Sequence, residues 1–154
     1  MLRASGDEAY NEWIYNLSIA SGAKLNSVRT ILTKDKKASE ESEVLSLIRS
    51  AEAIFFAGGD QSQYIDYWSG TEVQSILQAK LSNVTIGGTS AGCAILGNWV
   101  YTGEKGSATS DEALANPFDK YITIVPAFLN IPYLETIITD THFGKCYYIL
   151  VYLL

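Results

Sequence analysis

Two stretches decide the fold: Ala53-Ile54-Phe55-Phe56-Ala57-Gly58-Gly59 and, further along, Val84-Thr85-Ile86-Gly87-Gly88-Thr89-Ser90-Ala91-Gly92. Each is a short apolar run stopped by paired glycines. A run of this kind, without polar alternation, predicts a strand buried on both faces, as in a parallel sheet covered by helices.

The flanking segments read as the covering helices. Ser39 begins one, with Glu40 and Glu41 in its first turn, where acids suit the helix dipole, and with an apolar face of Val44, Leu45, Leu47 and Ile48. Residues Gln61 to Lys80 form a helical region broken at Ser69-Gly70-Thr71, and Ala91 to about Trp99 forms the helix after the second glycine pair. Upstream, Glu8 to Ala20 sets Tyr10, Trp13, Ile14 and Leu17 at helical spacing, with Asp7 as N-cap and Gly22 as stop. Val28 to Leu32, Tyr121 to Val125 and Thr136 to Thr139 are further strands, and the chain after Tyr101 turns loop-like through Gly103, Gly106, Asn116 and Pro117. Strand and helix in alternation with short connections mean crossover units, hence an α/β domain with a mostly parallel sheet over residues 1–154. Ligands then bind at the C-terminal strand ends, where both glycine pairs lie.

Composition narrows the function. The chain has 154 residues, 47% hydrophobic and 18% charged, with a net charge of -6, which is globular and unsuited to nucleic acid. One histidine and two cysteines, Cys93 and Cys146, supply neither a metal cluster nor a disulfide framework. No cofactor is implied and no apolar stretch is long enough to span a membrane. The first six residues do not form a signal peptide, so a cytoplasmic place is the default expectation.

Gly88-Thr89-Ser90-Ala91-Gly92 has the pattern G-x-S-x-G between a strand and a helix. A serine on such a tight turn has its hydroxyl pushed above the sheet edge, and glycines two before and two after leave room for the turn. The Ala91 N–H, at the helix start, can donate to an oxyanion. A serine hydroxyl needs a base, and His142, just past the strand Thr136 to Thr139, is the only histidine. The acid that would orient it stays open among Glu104, Asp111, Glu112, Asp119, Glu135 and Asp140. Asp140, two residues from His142 on a strand, could orient either the histidine or a substrate. Cys93, one turn past Ser90, reads as core.

Three blocks together resemble the cyanophycinase and dipeptidase E group of serine peptidases: Ala51 to Gln61 with its Gly58-Gly59-Asp60-Gln61 end, Gly87 to Gly92, and Thr139-Asp140-Thr141-His142-Phe143. The resemblance covers roughly residues 50–143. It implies a three-layer flavodoxin-like fold of the class I glutamine-amidotransferase type, and cleavage of aspartyl or β-aspartyl peptide bonds. It further implies Ser90 as nucleophile, His142 as base and Glu112 as acid. The oxyanion donors would be the Ala91 N–H and one near Gly59, and Asp60, Gln61 and Asp140 would meet the peptide substrate. Homodimerisation is left open.

The resemblance also carries departures. Leu2-Arg3-Ala4-Ser5-Gly6 reads as the tail of a strand, and the arginines that follow the histidine in the family give way here to an apolar end, Tyr147 to Leu154. The expectation is a domain incomplete at both ends and poorly active as it stands. The rivals are an α/β-hydrolase esterase, disfavoured by the short gap from Ser90 to His142; a glutamine amidotransferase, which wants cysteine at position 90; and a non-catalytic family member.

Overall fold

The structure, a computed structural model, describes residues 1–139 and Thr141. Asp140 and His142 lie outside the described residues, as does the apolar C-terminal stretch.

The elements in chain order are β1 (Leu2–Arg3), α1 (Tyr10–Ser21), β2 (Ile31–Leu32), a 3₁₀ turn (Ala38–Glu40), α2 (Ser42–Ser50), β3 (Ala53–Phe56), α3 (Gln61–Trp68), α4 (Glu72–Lys80), β4 (Thr85–Gly88), α5 (Ala91–Ala94), β5 (Trp99–Tyr101), α6 (Ser110–Ala115) and β6 (Ile124–Pro126). The first four strands form one parallel sheet in the order β2-β1-β3-β4. This is the α/β, flavodoxin-like architecture expected from the alternation of elements. Phe56 pairs with Gly88, so β3 and β4 end level and deliver both glycine turns to the same sheet edge.

The core lies where α2, α3 and α4 meet the sheet. Phe56, Tyr64, Trp68, Val73 and Leu77 are fully buried there with Leu2 and Ile48. Trp68 stacks on Tyr64 with ring centroids 4.5 Å apart and lies 5.6 Å from Phe56. Its indole N–H donates to Thr33 Oγ1 at 2.6 Å, so the one polar atom of the largest buried side chain is satisfied. The helical region breaks where expected: α3 ends at Trp68, Gly70 takes φ +72, and α4 starts after Thr71. Gly22 closes α1 in the left-handed conformation, φ 80.

Several expectations are corrected. β3 is buried on one face only: Ile54 and Phe56 point into the core, whereas Ala53 and Phe55 are exposed, Phe55 at 39%. Both of its faces are apolar in sequence, and apolarity alone does not say which face is covered. The helix after Gly88 is four residues long, not nine, because Thr139 Oγ1 takes up the carbonyls of Cys93 and Ala94 at 2.7 and 3.1 Å. Gly97 then lets the chain turn back, with Ile137 O and Thr139 N where a Cβ would stand. The chain continues as β5, which pairs antiparallel with β6, itself shifted toward the C-terminus of the expected Tyr121 to Val125 strand. Thr136 to Thr139 is no strand; Ile138 makes a single parallel bridge to Trp99. Helix α1 has Ala9 as N-cap, and Asp7 accepts the Ala9 N–H at 3.0 Å from just outside the helix. Ser39 is buried in the 3₁₀ turn, and α2 begins at Ser42.

Candidate active site

The elbow is built by its glycines. A Cβ on Gly88 would overlap the Gly92 carbonyl, and one on Gly92 would overlap the Phe56 carbonyl. The strand exit and the helix start therefore touch each other, and the helix start touches the end of β3. Nothing larger than hydrogen fits at either position. Between them Ser90 takes φ 51 and ψ −124, a positive-φ conformation that a non-glycine residue holds only when its surroundings enforce it.

Ser90 is the N-cap of α5 without a side-chain capping bond, although serine is among the best capping residues. The Ala91 N–H, in the first turn, has no intrahelical acceptor. Because α5 has only four residues, its aligned dipole is small, and what it can offer an anion is that N–H itself.

The end of β3 forms the facing wall. A Cβ on Gly58 would stand 3.3 Å from Ser90 Cβ and 3.7 Å from Ser90 Oγ, so the bare backbone of Gly58 is what leaves room for the serine side chain. The buried Tyr64 hydroxyl reaches the carbonyls of Ala57 and Gly58 at 2.9 and 3.0 Å and fixes this turn. Burial pushes the Tyr64 pKa up, with the Arg3 charge acting in the opposite direction. Among the described residues the Gly59 N–H donates to no backbone acceptor.

The expected substrate residues have local partners. Asp60 Oδ1 accepts from Ser62 N at 2.9 Å and Ser62 Oγ at 2.6 Å, capping α3. Gln61 Nε2 donates to Tyr101 O at 3.2 Å, which ties the start of α3 to the end of β5. Glu112 is exposed and belongs to a capping box at the start of α6. Its Oε2 accepts from Thr109 N at 2.8 Å and Thr109 Oγ1 at 2.9 Å, and Thr109 Oγ1 accepts the Glu112 N–H. Those two donors hold the Glu112 carboxyl below the usual range. His142 and Asp140 lie outside the described residues; of the expected site residues the structure brings together Ser90, Ala91 and the Gly58-Gly59 turn, and it engages Glu112 in the capping box of α6.

Sequence reasoning gave no role of their own to three residues that shape this site: Gly58, against Ser90; Tyr64, behind the glycine turn; and Thr139, which fastens the segment leading to His142 onto α5. Tyr64 follows Asp60 by one helical turn, and that spacing was the available signal. Thr139 carried none, since its partners are backbone carbonyls distant in sequence.

The cyanophycinase of Geminocystis herdmanii is 26% identical over 129 residues, covering 82% of this chain and 44% of that protein. The cyanophycinase of Trichormus variabilis is 27% identical over 85 residues, covering 54% of this chain and 28% of that protein. The chain thus spans less than half the length of these curated relatives. The crystal structure of a peptidase from an acI-B1 Actinobacterium superposes with a TM-score of 0.60 at 19% identity, over 94% of this chain and 55% of that one, and shares the fold. The model of peptidase family S51 matches residues 5–123, beginning well before the first block that carried the resemblance and ending before His142. With an elbow of this geometry inside a match over more than half of its length, the chain belongs to peptidase family S51.

Proposed function

We propose that this protein hydrolyses aspartyl or β-aspartyl peptide bonds by a serine mechanism with an acyl-enzyme. The observation that carries the reading is Ser90, held at φ 51 between glycines that admit no side chain. Backbone strain of this kind costs about 1–3 kcal/mol and is retained where it serves function.

In this mechanism Ser90 Oγ attacks the scissile carbonyl as His142 takes its proton. The carbonyl oxygen becomes an oxyanion, met by the N–H groups of Ala91 and Gly59. Collapse expels the amine, which receives the proton from His142, and leaves an ester on Ser90. Water, deprotonated by His142, then attacks that ester and restores the serine. Chain connectivity supports the assignment of His142. Thr139 is hydrogen-bonded to the carbonyls of Cys93 and Ala94, on the helix that starts at Ser90. Three residues of chain reach at most about 11 Å.

Glu112 serves as the acid in this reading. Its Oε2 is engaged by Thr109, and Oε1 is the oxygen left for an imidazole. Asp60, Gln61 and Asp140 would meet the peptide, Asp60 and Gln61 through the faces not used in their local bonds. The aspartyl preference rests on likeness to the cyanophycinases.

The test is turnover of a β-aspartyl dipeptide, an α-aspartyl dipeptide and a simple ester by the unsubstituted chain and by His142→Ala. Hydrolysis of aspartyl dipeptides that falls by several orders of magnitude in His142→Ala supports the reading. Preference for the ester, or activity indifferent to His142, contradicts it.

A further inference from the structure

The Gly58-Gly59 turn has a serine on each flank. Ser90 lies against Gly58, and on the far side Ser5 Oγ stands 3.8 Å from where a Gly59 Cβ would be. Ser5 follows β1, the strand beside β3, and so sits at the same C-terminal sheet edge as the elbow. It is exposed, and no hydrogen bond is made by its hydroxyl among the described residues.

The loop that carries Ser5 is braced from beneath by Arg3. One Arg3 nitrogen donates to Asp7 O at 3.1 Å, the guanidinium lies 5.9 Å from the Tyr10 ring centroid, and Gly6, at φ +97, leaves room for it where a Cβ would overlap it. Arg3 Nε is buried without a partner, and among the described residues Arg3 makes no ion pair. A cation without an ion-pair partner among the described residues thus lies beside a loop whose exposed hydroxyl stands against the Gly58-Gly59 turn. That combination suits an anion, since a hydroxyl can donate to a carboxylate and the charge behind it lowers the cost of bringing one there.

We propose that Ser5 is a substrate-contact residue that donates its hydroxyl to a carboxylate of the substrate across the glycine turn from Ser90, with Arg3 as the positioning residue that holds its loop. The proposal rests on the hydrolase reading above and names a residue which that reading does not use. It assigns the recognition of charge to the β1–α1 loop and not only to groups beyond His142.

The experiment compares kcat/KM for a β-aspartyl dipeptide and for its uncharged amide analogue in the unsubstituted chain, Ser5→Ala, Arg3→Met and the double variant. Active molecules are counted by titration with a fluorophosphonate, so partial misfolding does not enter the rates. In Ser5→Ala the preference for the charged substrate should fall about tenfold, the usual scale for a hydrogen bond to an ionised group. Arg3→Met should lower it too, and the double variant should be no worse than the more affected single one, as expected for residues acting through one contact. An unchanged preference in Ser5→Ala overturns the proposal. Additive losses overturn the positioning role of Arg3. If the unsubstituted chain neither labels nor turns over, it is the hydrolase reading itself that fails.

Discussion

The two bends that leave the sheet side by side begin alike and end differently. β3 and β4 end level, β4 on Gly87-Gly88 and β3 just before Ala57 and the pair Gly58-Gly59, and both lead into a helix. At the first bend Asp60 sits in extended backbone, φ −110, and spends its carboxylate on capping α3. At the second Ser90 sits at φ 51 and makes no capping bond to α5. One bend is optimised for stability, the other gives stability up. A capping residue that does not cap, in a conformation its neighbours force on it, is the contrast on which the proposed role of Ser90 rests.

Substitutions should separate the bends by the sign of their effects. The largest change in stability is expected at the glycine that locks the second bend. Gly92→Ala sets a methyl on the Phe56 and Ala57 carbonyls, neither of which can move without shifting β3, and should cost about 3 kcal/mol or more in urea denaturation. A loss well below 1 kcal/mol would mean that the elbow is looser than described. Ser90→Gly relieves the positive φ and should raise stability by about 1 kcal/mol while ending activity. Asp60→Ala, at the neighbouring bend, should lower stability by about 1 kcal/mol through loss of the cap. Equal signs for these two substitutions would erase the contrast between the bends.

The smallest effect concerns Glu112, whose exposed carboxyl is held low by Thr109. A depressed folded pKa means that the bonds are present above the unfolded value, about 4.5, and are lost as pH falls through the folded one. Carbon chemical shifts of Glu112 should therefore titrate below 4.5 in the unsubstituted protein and return toward it in Thr109→Ala. An unchanged midpoint in Thr109→Ala would show that the capping box does not hold the carboxyl.

The elbow was legible in the sequence because its requirements are local: two glycines, a serine between them, an apolar run before. The break at Ser69-Gly70-Thr71 and the stop at Gly22 were legible for the same reason. What the sequence concealed depends on distant partners. Helix α5 ends early because Thr139 takes its carbonyls, and β5 exists because β6 pairs with it. Phe55 belongs to a run that reads as buried, and only the placement of α2, α3 and α4 on the other face shows that it is not. Helix α6 is a different case. Its sign, Thr109 followed three residues later by Glu112, was present as a capping-box pattern but lay in a segment whose glycines suggested loop. Glu112 drew notice through the family resemblance, and the structure engages its carboxylate in that capping box.

The most direct test of Ser90 as nucleophile is mass spectrometry after reaction with a fluorophosphonate. The expected result is a single adduct mapping to Ser90 and absent from Ser90→Ala, with Ser5→Ala still labelled. An adduct that persists in Ser90→Ala, or no adduct on a chain shown to be folded, would contradict the assignment.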